Sequence, residues 1–375
     1  LYNASPGSIV DITTGGNNGA AFGATTGYDP ATGLGTPRWS VLKSSYLGVP
    51  VLRAPGFSTS AAAAFSVASS AYTNYDGFWS GTGTAPTTTH TGACEPAGTP
   101  SLTAPTSVSG LVEGNNNVWV MAQVTDTSTD PSVTTCYVDQ ATVLFDNRPP
   151  IASIPLDTVK YPFVSSNVYA LTVSRSDTPL APAATASGVQ RTEYRYRSIA
   201  ANAATGPTAA YTAPISMGTA TVKNLLVASG YQYCYQVRAV DNAGNTGAWS
   251  ADKCITVAYD DRKLSAATWG WSRLTATGWM ANTRTSTVSS GRTLTFPTTR
   301  VRQLGIVASR CVTCGSVKVY VGTTLIGSIN LSWPTTQHKV IFAFPRRSST
   351  LTGSIRIVTQ SSRTVAIDGL LLTGH

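Results

Sequence analysis

The sequence predicts a mostly β protein built as a string of β-sandwiches, and three observations predict it. Beyond position 49 the apolar residues recur at period two, not at helical spacing. The alternating runs are short and bounded by Asn, Asp, Gly and Pro. The 375 residues are 42% hydrophobic and only 11% charged, with 33 Gly and 21 Pro. That composition fills packed cores and excludes disorder driven by charge. No uninterrupted apolar run approaches the ~20 residues with which a helix spans a bilayer.

Two joints punctuate the pattern, at Gly48-Val49-Pro50 and at Asn147-Arg148-Pro149-Pro150. A proline pair does not sit in a central strand, so the second stretch is a linker. Between and beyond the joints lie 118–124, 141–145, 168–173 and 191–197, each rich in β-branched and aromatic residues. The last hundred residues repeat the theme in Leu294/Phe296, Val317/Val319/Val321, Phe342/Phe344 and Ile355/Ile357. Short strands at this spacing read as sandwiches. The resulting segments are 1–48, 49–148, 149–258 and 259–375.

Charge is distributed unevenly among them. The total is +9, but residues 49–148 carry net −5 and residues 259–375 carry net +11. A surface for polyanions therefore belongs to one end of the chain. A solvated basic exterior without a ligand is the plainer reading.

The six cysteines fall in local pairs, Cys94/Cys136, Cys234/Cys254 and Cys311/Cys314. An even count in this arrangement suits an oxidising compartment and hence secretion, with a reduced cytosolic protein as the alternative. In 231–239 the odd positions are large and apolar and face a core, which turns Cys234 outward toward Cys254 on the following strand. For Cys311-x-x-Cys314 the redox reading lacks a following helix, and zinc lacks further ligands near His90, His338 or His375. A short structural disulfide is the plain choice.

The run Val237-Arg238-Ala239-Val240-Asp241-Asn242-Ala243-Gly244-Asn245 resembles the last hairpin of fibronectin type III domains of secreted bacterial proteins. It implies an Ig/fibronectin type III-like sandwich for 149–258, after an Ig-like one at 49–148. Such a likeness speaks to fold, not to function.

Residues 1–48 are different, with Asp11 and Asp29 embedded in Gly-rich loops. Two carboxylates and glycine-freed carbonyls make an all-oxygen set suited to Ca²⁺. Turn building by Asp and Gly is the other reading. The order Asp11-Ile12, then Gly27-Tyr28-Asp29, then Thr32-Gly33-Leu34-Gly35-Thr36-Pro37 resembles the C-terminal end of the sedolisin family, calcium-dependent serine-carboxyl peptidases with a subtilisin-like fold. The resemblance implies a short α/β remnant binding one Ca²⁺ through the carboxylates of Asp11 and Asp29 and the carbonyls of Ile12, Thr25 and Gly27. Thr25 stands where the family usually has Gly. The family's catalytic Ser, Glu and Asp lie upstream of this loop, so no catalytic residue is assigned. The nearest local mimic, Ser80-Gly81-Thr82-Gly83, has Gly where a nucleophile is required. The implied partner is the N-terminal catalytic portion of the same precursor, which would cover the apolar residues of a piece too small to bury them itself.

Residues 259–375 look like the β-rich terminal modules of actinobacterial secreted hydrolases, and loosely like jelly-roll carbohydrate-binding domains. Candidate polymer contacts are Trp269, Trp271, Trp279 and Trp333, which stack on sugars if exposed and fill the core if not. Arg346, Arg347 and Arg356 are the matching basic candidates. An anionic cell-wall polymer or polysaccharide is the expected ligand; nucleic acid is not. The expected function is the non-catalytic C-terminal portion of a secreted sedolisin-like peptidase, anchored to wall, matrix or substrate by its sandwiches. The alternatives are a non-enzymatic extracellular carbohydrate- or surface-binding protein and a structural subunit of an extracellular assembly.

Overall fold

Period-two patterning makes strands, and strands are what the chain forms. The computed structural model describes residues 50–68, 75–86, 94, 100–126, 133–155, 163–179, 184–275 and 277–375, with four two-residue strands before them at Ile9–Val10, Gly16–Asn17, Phe22–Gly23 and Thr36–Pro37. The described residues contain no α-helix, only two 3-10 turns at Asp261–Lys263 and Met280–Asn282. The expected α/β remnant and its Ca²⁺ set, Asp11, Ile12, Thr25, Gly27 and Asp29, lie outside the described residues.

The chain divides into two units. One comprises Leu1–Pro150 with Asp177–Gly188 and Asp241–Asn245; the other comprises Ile151–Ser176, Val189–Val240 and Thr246–His375. In the first, Gly114–Asp126 and Val133–Phe145 pair antiparallel in unbroken register from Gly114↔Phe145 to Asp126↔Val133. Gly77–Thr82 pairs along the outer side of the first of these strands. Alternation sorts their side chains: Val118, Val120 and Ala122 join Leu52, Phe78 and Val143 in one core, while Trp119 and Met121 pack with the Cys94–Cys136 disulfide. Gly81 opposes Trp119, and a Cβ there would come within 2.5 Å of the indole. The Ser-Gly-Thr-Gly run that mimics a nucleophile motif is thus the seat of a core tryptophan.

The second unit opens with a sandwich whose five-stranded sheet runs Phe163–Val164, Lys253–Val257, Tyr231–Asp241, Val189–Ala200, Ile215–Gly218. Tyr233, Tyr235, Val237 and Ala239 fill its core from odd positions, whereas Tyr231, the first odd residue of the run, is exposed at the strand's start. Cys234 sits on the opposite face in register with Cys254 and is bonded to it. That face is nonetheless covered: Cys234 is 2% exposed, with Gln232 and Thr256 buried beside it. Outward here means away from the tyrosines and not toward solvent. On a face of this sheet Arg195 lies 4.3 Å from the rings of both Tyr211 and Trp249, and Arg238 lies 4.5 Å from Trp249. Arg238 also pairs with Glu193 at 2.8 Å.

The C-terminal sandwich follows. Leu294, Phe296, Val317, Val319, Val321, Ile355 and Ile357 meet Leu304, Ile306, Ile367, Leu370 and Leu372 in its core. Phe342 and Phe344 are only partly buried against it. Val307, Leu371 and Met280 turn the other way and share a cluster with Val257 and Ala258. The two sandwiches of this unit therefore have a continuous apolar interior, which explains why Val365–Thr373 is buried along its whole length.

One carboxyl is trapped there. Asp368 is fully buried and accepts a hydrogen bond from the Met280 N–H at 3.0 Å. Burial pushes it up to about 7, against the lowering effects of that bond and of Lys339. The native state therefore holds a proton on Asp368 between about pH 4 and 7 that the unfolded chain has released, so stability rises as pH falls through this window. We expect Asp368→Asn to melt several degrees higher than the parent at pH 8, with the gap roughly halved at pH 5.5 and closed near pH 4. Parallel melting curves for the two proteins across that range would refute the assignment.

Candidate functional site

The C-terminal sandwich consists of two sheets, of which five strands correspond one to one, with Tyr259–Asp260 as a sixth strand paired to Val365–Thr373 in one of them. One sheet runs Ser265–Ala266, Thr293–Val301, Leu351–Thr359, Ser316–Val321, Thr324–Asn330; the other runs Ser272–Thr275, Thr283–Thr287, Val365–Thr373, Gln303–Arg310, Gln337–Ala343. At one end each strand connects to its counterpart in the facing sheet. The connections 267–271, 288–292, 360–364, 311–315 and 331–336 consequently lie side by side in a row. At ~4.8 Å per strand the row is roughly 20 Å long.

Its members are laced to one another. The Thr287 hydroxyl donates to the Gly270 carbonyl at 2.7 Å, tying the first loop to the second. The Thr359 hydroxyl donates to the Ser289 carbonyl at 2.7 Å, tying the second to the strand that leads into the third. The Gly315 N–H donates to the Thr364 carbonyl at 2.9 Å, and the Trp333 N–H to the Cys311 carbonyl at 3.0 Å. The Cys311–Cys314 disulfide stands at the join of those last two bonds.

Exposed aromatics mark both ends of the row. Trp269, on the first loop, is 81% exposed; Trp333, on the fifth, is 44% exposed. Each has a guanidinium over one face, Arg292 at 4.1 Å from Trp269 and Arg310 at 3.9 Å from Trp333. Arg310 is itself held by Gln337 at 2.7 Å. Between the two tryptophans a cleft of about 620 Å³ is lined by Val288, Val312, Thr313, Ser362, Arg363 and Thr364. Val288 and Val312 are each 64% exposed, an apolar surface that the sandwich core does not use.

The other sequence candidates do not present exposed rings or cations on this row, although Trp271 belongs to its first loop. Trp279 is 4% exposed and packed against His338 and Arg284, so it belongs to the interior. Trp271 is half-buried against the sandwich core, with its Nε1 enclosed. Arg346 donates to the carbonyl of His375, and Arg347 accompanies Arg302, both at the opposite end of the sandwich. Arg356 bonds the Gly322 carbonyl, again toward that end, with Tyr320 beneath it. Conversely, Val288, Arg292, Arg310, Val312 and Arg363 escaped the sequence reading. No local signal marks them, because adjacency in the row comes from strand order and not from position in the chain.

A second polar constellation lies in the other unit, where carboxylates of Asp146, Asp177 and Asp241 come within 4.8 Å of one another. Asp146 accepts from the N–H groups of Arg148 and Ser187, and Asp241 from those of Gly244 and Asn245. Asp177 accepts from Gly188, and it is pushed up by burial and by the neighbouring charges of Asp146 and Asp241. These bonds are those of turn building, and they order the proline linker and the Asp241–Asn245 loop.

No family model matches the chain, and no curated protein matches it. Among solved structures it is similar to a family 6 carbohydrate-binding module, at 15% identity over 31% of this chain and 92% of that one, with a TM-score of 0.24. It is also similar to fibronectin(III)-like modules of Clostridium thermocellum CbhA, at 13% identity over 56% and 93%, TM-score 0.30. Carbohydrate-binding modules of the β-sandwich superfamily match at 9% identity over 60% and 98%, TM-score 0.26. Likenesses this distant carry no functional argument, so the function must be read from the site's own residues.

The lacing makes a claim about the disulfide. A bond spanning so few residues contributes little loop entropy, so its role is to hold the fourth loop in the row. Replacing Cys311 alone by Ser, which opens the bond while leaving the buried Cys314 in place, should shift the melting temperature little, while increasing protease cleavage within 311–315 several-fold. Unchanged cleavage would show that the hydrogen bonds alone suffice.

Proposed function

We propose that the chain is an extracellular polysaccharide-binding protein whose binding surface is the loop row of the C-terminal sandwich. The observation that carries this reading is the pair of exposed tryptophans, one at each end of a single row, with a cleft between them. Indole faces pack against the apolar faces of sugar rings, and two plates separated by a cleft suit a chain of sugars better than a single one. The backbone bonds across the row keep the plates in place, which lowers the ordering cost of binding. Three disulfides join all six cysteines, which supports an oxidising, extracellular setting. No described helix is long and apolar enough to cross a membrane. Affinity electrophoresis through gels containing soluble polysaccharides tests the reading. The parent chain should be retarded, Trp269→Ala and Trp333→Ala should each weaken retardation about tenfold, and the double variant should abolish it. Full retardation of the double variant, or none of the parent by any polysaccharide, would overturn the proposal.

The residue order of 1–48 supports a second component, a calcium-binding terminal piece of a sedolisin-like peptidase, with catalysis outside this chain. In that arrangement the sandwiches deliver the peptidase to a polymer. Asp11, Ile12, Thr25, Gly27 and Asp29 would hold the ion. A ligand bound only by the folded state raises stability, so EGTA should lower the melting temperature and Asp29→Asn should remove the EGTA effect. A transition indifferent to chelator would eliminate the metal.

A further inference from the structure

We infer that the polymer bound by the loop row is acidic, its sugars carrying carboxylate or phosphate groups that the row's arginines receive. This rests on the polysaccharide reading above and narrows it. Three guanidiniums belong to the row: Arg292 beside Trp269, Arg310 beside Trp333, and Arg363 on the wall of the intervening cleft. Arg363 is exposed and forms no ion pair with a described residue.

Among the described residues no carboxylate forms an ion pair with them. The five loops contain neither Asp nor Glu, and residues 259–375 have only Asp260, Asp261 and Asp368. Asp261 and Asp368 are fully buried, and Asp260 is partly buried in strand pairing with Gly369. The module's acids are thus inside, while three of its eleven arginines stand at the row with no carboxylate in the adjoining loops. These three differ from the module's other cations in sharing the row with both exposed indoles.

Their geometry also suits sugar acids better than bare charge. A guanidinium lying over an indole is already oriented, so it loses less freedom on engaging a carboxylate or phosphate through paired hydrogen bonds. Each end of the row then presents an apolar plate with a cationic fork at its edge. A sugar ring with an acidic substituent matches both parts at once. A neutral sugar uses the plate alone, and a nucleic acid would offer phosphates along both sides of a much wider surface.

The test uses the full chain with four probes: polygalacturonate, the same polymer fully methyl-esterified, a ribitol-phosphate polymer, and duplex DNA. We expect polygalacturonate or the ribitol-phosphate polymer to bind at least about tenfold more tightly than the ester, and to lose that margin at high salt. Which of the two is favoured tells carboxylate from phosphate. Arg363→Gln, at an exposed position that packing does not need, should reduce binding of the acidic polymer about tenfold and that of the ester by less, so that the margin between the two narrows; an equal loss for both would overturn the inference. Arg310→Lys gives a second reading, because it keeps the charge but loses the planar fork; partial loss is expected. Equal binding of the ester and the acid overturns the inference while leaving the polysaccharide reading intact. Binding of no glycan sinks both. Tighter binding of DNA than of either acidic polymer also overturns the inference.

Discussion

The Val365–Thr373 strand is buried on both faces, and the arrangement of the C-terminal half depends on it. One face closes its own sandwich with Ile367, Leu370 and Leu372; the other presents Leu371 to the cluster that contains Val257 and Ala258. A strand with two apolar faces has no solvent side to compromise, and each fully buried aliphatic contributes ~1.5–3 kcal/mol. Its hydrogen-bonded neighbours, Thr283–Thr287 and Gln303–Arg310, are thereby fixed in the middle of the sheet. The loop 360–364 that leads into it becomes the centre of the row, with 288–292 and 311–315 at its sides. The cost of so complete a burial is Asp368, whose carboxyl remains in the interior with a backbone N–H as its direct partner.

From that frame the site acquires its rigidity. Loops at the end of a sandwich are usually the mobile part of the fold, yet here each is bonded to its neighbour through backbone carbonyls. In the binding role proposed for it, such a row would not close around a ligand but would offer a fixed spacing of plates and cations. Such a surface suits polymers, whose repeating units present the same groups at regular intervals. At the opposite end of the module Arg346 donates to the His375 carbonyl, and the backbone N–H of Arg347 to the Arg302 carbonyl.

Much of the fold was legible because β-strands write their burial into alternate residues. Leu294/Phe296, Val317/Val319/Val321 and Ile355/Ile357 are core residues in the positions that alternation assigns. The three cysteine pairs are also bonded as their proximity in the chain suggests. Alternation says which residues share a face but not whether the opposite face is covered. Cys234 and Trp119 both lie on second faces that are buried all the same. The tryptophans show the same limit: composition offers four in the last module, and nothing local distinguishes Trp279 in the interior from Trp269 in solvent.

The sequence by itself determined the sandwich architecture, the segregation of positive charge into the last 117 residues and the identity of the disulfide pairs. These are properties of composition, period and short-range spacing. Only the tertiary structure decided which residues form the site. Trp269, Val288, Val312, Trp333 and Arg363 span nearly a hundred positions of the chain and meet because the strands order themselves differently in space than in sequence. Strand order is set by which apolar faces can be buried together, a long-range condition that no local pattern of residues expresses.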